Sequence, residues 1–129
     1  MKPPAIAITN LAFRWRSADA FCLELANATV NAGKSLFLHG PSGSGKSTLL
    51  NLIGGVLLPT HGSVSLLGQA LGELSASRRD AFRADHLGFI FQQFNLIPYL
   101  SVLDNVLLPC RFSTRRASRV GQPEAEARR

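Results

Sequence analysis

Between a short apolar run, Ser35-Leu36-Phe37-Leu38-His39, and an apolar stretch of helical period that starts at Lys46 lies Gly40-Pro41-Ser42-Gly43-Ser44-Gly45-Lys46-Ser47. No other feature of the 129-residue chain restricts its fold so tightly. A match to G-x-x-x-x-G-K-[ST] arises by chance in roughly 1% of chains this long, so the octapeptide is read as a working device. Its residue types say what kind. Glycines allow unusual backbone dihedrals and let the main chain approach a bound group closely, while a new helix offers unpaired N–H groups and a positive dipole end. That combination suits a polyphosphate. Gly40, Ser42, Gly43, Ser44 and Gly45 line the loop, and the backbone from about Gly43 to Thr48 forms the cradle. Lys46 supplies an ammonium to the β- and γ-phosphates, the Ser47 hydroxyl is placed to ligate Mg²⁺, and Thr48 contributes its N–H. The bland alternative is a glycine-rich turn ending in a solvated lysine, and the strand before and helix after disfavour it.

The rest of the chain alternates strand and helix patterns. Ala5 to Thr9 alternates as a half-buried strand does, Phe21 to Leu25 reads as a second strand, and Asn27 to Gly33 supplies turns around a third short strand. These segments predict a small antiparallel element. Ser35–His39, bounded by glycines, predicts a strand covered on both faces, for which a parallel sheet is the usual setting. Apolar residues at 49, 50, 52, 53, 56 and 57 predict a mostly buried helix from Lys46 to about Leu57, closed by Pro59 and weakened by Gly54 and Gly55. Beyond it, Pro59-Thr60-His61-Gly62 is turn chemistry and Ser63 to Leu67 a strand. Leu74 to about Ala84 reads as a helix with Arg78, Arg79 and Arg83 on its wet side, and Leu87 to Phe91 as another buried strand. The fold class is therefore α/β, a partial parallel sheet with helices plus the antiparallel element.

Composition limits what surrounds that core. With 46% hydrophobic and 17% charged residues the chain can bury a core of its own. Its longest apolar run, Leu49 to Leu58, contains Asn51 and two glycines and falls short of the roughly 18 residues of a membrane span. The N-terminus lacks an apolar signal region, which points to the cytosol. Cys22 and Cys110 have no metal or redox spacing and read as reduced thiols. The net charge of +6 raises the question of nucleic acid, yet residues 110–129 alone hold six arginines against two glutamates. That charge describes a tail rather than a binding face, and nucleic acid is disfavoured as a partner.

A phosphate loop of this kind, a Walker A motif, serves kinases, GTPases, motors and helicases alike. What selects among them is Leu87-Gly88-Phe89-Ile90-Phe91-Gln92-Gln93-Phe94-Asn95-Leu96-Ile97-Pro98, followed by Ser101-Val102-Leu103-Asp104-Asn105-Val106-Leu107-Leu108-Pro109. This resembles the Q-loop region of ATP-binding-cassette (ABC) ATPases, and Pro59 to Val64 resembles the turn and strand that follow their P-loop helix. The similarity runs from about Ala5 to Pro109. Its Phe-Gln-Gln-Phe-Asn-Leu-Ile-Pro form is similar to ATPases paired with lipoprotein-releasing and macrolide-exporting permeases.

The resemblance implies a P-loop NTPase fold and a set of roles. Gln92 matches the Q-loop glutamine, whose amide can touch the Mg²⁺ shell or the attacking water; Gln93 is its neighbouring candidate. Against this, both can be solvated residues leaving a strand. Asn10 to Trp15 resembles the segment whose aromatic residue stacks on adenine, with Trp15 in the matching place and Phe13 read as core. The alternative for Trp15 is an aromatic that caps a sheet edge. Asp85 and His86 read as surface positions. A permease and a second ATPase subunit are the implied partners, at the inner face of the plasma membrane.

The family's acidic pair, Leu-Ser-Gly-Gly-Gln signature and switch histidine do not occur in the sequence. Asp104 follows a run that looks superficially like the acidic strand, but lies too close to the Q-loop. His39, His61 and His86 all precede the Q-loop, so none matches the switch position. Residues 1–109 are read as the N-terminal part of a nucleotide-binding domain, and 110–129 as a basic tail or the start of a helical subdomain. The expectation is a truncated product, weakly stable, with exposed sheet edges and near-background ATPase activity by itself. Two other readings share the cradle: a soluble ABC protein without a permease, and a nucleotide-binding remnant without catalysis.

Overall fold

The computed structural model describes residues 2–91 and 95–129. They form two compact units, the first ending at Ser75 and the second running from Ala76 to Arg129.

The first unit is a four-stranded antiparallel sheet of order β2-β1-β3-β4, built from β1 (Ile6–Phe13), β2 (Leu23–Val30), β3 (His61–Leu66) and β4 (Gln69–Ala70), with helix α1 (Lys46–Ile53). In β1 the inward residues are Ile6 and Ile8, then Leu11 and Phe13, so the alternation changes phase at Thr9–Asn10. Asn10 takes φ 48°, a left-handed conformation that asparagine tolerates better than most residues. Opposite it, β3 loses one residue of register between Thr9 and Ala12, a β-bulge. On the other side β2 changes phase at Ala26–Asn27, where Thr9 pairs with Asn27. The expected turn and third strand after Leu25 are therefore one continuous strand, because Asn27 sits at the phase change of a paired ribbon and not at a chain reversal.

Ile8, Leu11, Phe13, Leu52, Val64, Leu66 and Leu71 are buried together in this unit, Leu71 from a 3-10 turn at Leu71–Glu73. Helix α1 begins at Lys46 as expected but stops at Ile53, four residues short of the predicted end. Gly54 closes it and Gly55 turns left-handed at φ 74°, while the N–H groups of Val56 and Leu57 return to the Asn51 carbonyl at 2.9 and 3.1 Å.

The two segments expected as parallel strands, Ser35–His39 and Leu87–Phe91, are in no sheet. A strand buried on both faces needs neighbours on both edges, and no strand lies beside either segment among the described residues. Phe37 is accordingly 84% exposed and Ile90 fully exposed.

The second unit is helical: α2 (Ala76–His86), α3 (Val102–Phe112), α4 (Thr114–Val120) and α5 (Pro123–Ala127). Residues 100–104, superficially a strand ending in an acid, are instead a bend at Leu100 followed by the cap and first turn of α3. Ser101 is its N-cap and accepts from the Asp104 N–H at 3.0 Å, while the Ser101 hydroxyl donates to the Asp104 carboxylate at 2.9 Å. Asn105 staples the preceding loop, accepting from Ile97 N–H at 2.8 Å and donating to the Ile97 and Ser101 carbonyls at 3.2 and 2.9 Å. Two arginines of residues 110–129, Arg111 and Arg116, are bound into this unit. Arg111 meets Asp104 at 2.6 Å, and Arg116 donates to the Ala84 and Leu87 carbonyls at the end of α2. Asp85 and His86, read as surface positions, are half-buried: Asp85 accepts from the buried Ser113 hydroxyl, and His86 packs against Phe82 with ring centroids 4.5 Å apart.

The Ser101 hydroxyl, and after it Arg111, holds the Asp104 carboxyl below its ordinary value against an opposing desolvation. A depressed carboxyl contributes stability above its unfolded value, and that contribution is lost as pH falls through the folded value. Carbon-13 titration of Asp104 is expected to give a midpoint below an ordinary aspartate and to move up in Ser101→Ala. An unchanged midpoint in that variant would show that the cap hydroxyl does not set it.

Candidate functional site

The loop before α1 is shaped by two glycines in left-handed conformations, Gly43 at φ 82° and Gly45 at φ 98°. An L side chain at either position would be strained. Gly45 is the N-cap of α1, so no side chain caps the first N–H groups of the helix, and its first turn carries no acid. Uncapped N–H donors at the positive end of a helix make an anion site.

The loop is also narrow. The Ser44 N–H donates to the Pro41 carbonyl at 3.2 Å, and a Cβ on Gly40 would lie 2.7 Å from the Ser44 hydroxyl oxygen. A side chain at position 40 would force the Ser44 hydroxyl to turn away. Lys46 reaches back across it, its Nζ donating to the Gly40 carbonyl and, at 3.3 Å, to that of Pro41. A phosphate oxygen is a stronger acceptor for an ammonium than a peptide carbonyl, so the same side chain can exchange these contacts for a phosphate. Ser42, Gly43, Ser44 and Ser47 are exposed, and Gly40, Gly45, Lys46 and Thr48 are half-buried. A hydroxyl beside phosphate oxygens is a hard oxygen donor set, the kind that fits Mg²⁺ with its retained waters.

Trp15 stands just past the end of β1, 62% exposed, with its ring 4.9 Å from that of buried Phe13 and nearly perpendicular to it. Phe13 pairs with Leu23 of β2, and a Leu23 methyl lies 3.4 Å from where a Gly45 side chain would begin. One end of the β1–β2 ribbon thus carries Trp15 and touches the cradle. Gln92 and Gln93 lie outside the described residues.

Several contacts around Trp15 escape sequence reasoning. Thr60 donates its N–H to the Ala12 carbonyl at 2.8 Å and accepts the Arg14 N–H on its hydroxyl at 3.1 Å. The Arg14 guanidinium lies 4.8 Å from the centre of the Phe21 ring, which itself meets His61 at 5.6 Å. The only available signal is that Pro59-Thr60-His61 breaks the apolar pattern before β3, and that gives no partner.

Residues 23–129 match the family described as ABC transporter. The chain is 42% identical over 106 residues to the lipoprotein-releasing system ATP-binding protein LolD of Zymomonas mobilis, covering 81% of this chain and 46% of that one. It is 44% identical over 107 residues to the macrolide export ATP-binding/permease protein MacB of Rhodopirellula baltica, covering 83% of this chain and 16% of that one. A dimeric ATP-binding cassette of Methanocaldococcus jannaschii, solved with ADP and Pi, superposes with a TM-score of 0.74 at 38% identity, over 83% of this chain and 47% of that chain. The chain spans less than half the length of the ATP-binding relatives it matches, 46% for LolD.

Proposed function

The chain belongs to the ABC transporter family of ATP-binding proteins, with the P-loop α/β fold of its cassettes, and from that premise we propose that it binds Mg-ATP and, in the complete protein, powers export through a membrane permease. One observation carries the binding: an uncapped helix start behind two left-handed glycines, with Lys46 lying across the loop. In this reading Gly40, Ser42, Gly43, Ser44 and Gly45 shape the cradle, and the backbone N–H groups through Thr48 receive the phosphates. Lys46 pairs with the β- and γ-phosphates and Trp15 stacks on adenine. The Ser47 hydroxyl would hold Mg²⁺, which when bound neutralises charge on the phosphates. Gln92, on the segment that follows Phe91, would sense the terminal phosphate and its metal.

Export is supported by the relatives, whose names are those of lipoprotein-releasing and macrolide export systems. A second ATPase subunit is supported by the dimeric cassette. None of the described helices is long and apolar enough to cross a membrane. In this reading the chain sits at the cytoplasmic face of the inner membrane, against a permease that spans it. Residues 1–109 are then the Walker A to Q-loop portion of the cassette and 110–129 the opening of its helical subdomain. Hydrolysis is in this reading an activity of the complete protein.

Titration calorimetry with Mg-ATP tests the binding. The chain is expected to bind in the micromolar to sub-millimolar range, and Trp15→Ala to weaken that about tenfold, the usual worth of one base–aromatic stack. A folded chain that gives no heat of binding would sink the proposal.

A further inference from the structure

Strand β1 ends at Phe13, and its last inward side chain is the one against which Trp15 leans. A tryptophan two residues beyond a strand would sample many orientations if nothing held the backbone between. Ordering it on binding would cost affinity. Thr60 bonds on both sides of Phe13, with its N–H to the Ala12 carbonyl and its hydroxyl to the Arg14 N–H, at 2.8 and 3.1 Å. It thereby extends the β1–β3 ladder beyond the last register pair, Ala12 with His61. The next residue, His61, backs the Phe21 ring on which the Arg14 guanidinium lies. The main chain of the residue before Trp15 is thus held by Thr60, and its side chain lies on a ring that His61 meets. Because the Phe13 and Trp15 rings meet at 83°, at least one indole face stays clear of Phe13.

We propose that Thr60 is a positioning residue for nucleotide binding: its hydroxyl clasps the exit of β1 and presents the Trp15 indole to the base. This role depends on Trp15 being the base platform proposed above. Thr60 lies outside the cradle of residues 40–48, and its bonds go to Ala12 and Arg14.

The test compares Mg-ATP with Mg-tripolyphosphate, which offers the phosphates without a base, on the full chain. Thr60→Val keeps the shape and removes the acceptor, Thr60→Ser keeps the acceptor, and Trp15→Ala serves as reference. Since Trp15 is the sole tryptophan, its emission reports base contact directly. Thr60→Val is expected to weaken Mg-ATP about fivefold, the worth of one hydrogen bond, and to diminish the ATP-induced emission change. Tripolyphosphate affinity is expected to stay constant, and Thr60→Ser to behave as the unmodified chain.

Equal weakening of both ligands, unchanged ATP affinity, or loss of the native circular dichroism in Thr60→Val would overturn the role, since each makes Thr60 a fold residue or a bystander. If Trp15→Ala leaves the preference for ATP over tripolyphosphate intact, the base platform itself falls and the clasp with it. If Trp15→Ala removes that preference and Thr60→Val does not, the clasp alone falls.

Discussion

Lys46→Ala is expected to weaken Mg-ATP binding by about a hundredfold or more while leaving the circular dichroism of the chain unchanged. The size follows from what the ammonium does in the proposed complex: charge-assisted hydrogen bonds to phosphate are among the strongest a side chain makes, and nothing else in the loop carries positive charge. The fold is expected to survive because the Lys46 ammonium bonds to the carbonyls of Gly40 and Pro41, both on the loop itself. Lys46→Met, which keeps the aliphatic stem, separates the charge from its packing and is expected to lose nearly as much. Titration calorimetry beside far-ultraviolet spectra gives both readouts. Binding that survives Lys46→Ala at full strength would place the nucleotide elsewhere on the chain.

The start of the cradle helix is legible in the sequence because each residue type there answers a backbone requirement: glycine where φ is 82° or 98°, and a helix former at once after it. Its end is not, since the periodicity of Leu49, Leu50, Leu52 and Ile53 continues into Val56 and Leu57. Gly54 and the left-handed turn at Gly55 stop it. The same competition hides β2, where Asn27 has turn chemistry but is paired with Thr9 in a continuous ladder. Helix α3 carries a readable signal, Ser101 three residues before Asp104. The apolar run around it and Pro109 obscure that N-cap. Ser35–His39 and Leu87–Phe91 show the limit of pattern reading. Their apolar character reports what would cover them, and the described residues contain no strand that does. The clasp at Thr60 lies further out of reach, because its hydroxyl meets a backbone group 46 residues away and no local periodicity encodes that distance.

The β-bulge at Asn10, with Gly62 opposite, predicts the largest loss of stability from one methyl group. Gly62 takes φ +81°, and a Cβ there would stand 2.1 Å from the Asn10 carbonyl oxygen and 2.4 Å from that of Thr9. These are main-chain atoms of the central strand, so no rotamer change can clear the space, and the β1–β3 ladder would have to part. Forcing alanine into the left-handed region and displacing that backbone together cost on the order of 3 kcal/mol. For a unit whose buried core is seven apolar side chains, such a loss is a large share of the whole. Gly72→Ala is the control: nothing lies within 4 Å of its added methyl, and its expected change is within about 0.5 kcal/mol. Urea unfolding followed by Trp15 emission measures both. The same β1 residues, Thr9 to Ala12, lead directly to Phe13 and Trp15, so Gly62→Ala is also expected to blunt the emission response to ATP before the chain unfolds. A Gly62→Ala chain as stable as Gly72→Ala would mean that β1 and β3 do not meet in this register, and the clasp built on that register would go with it.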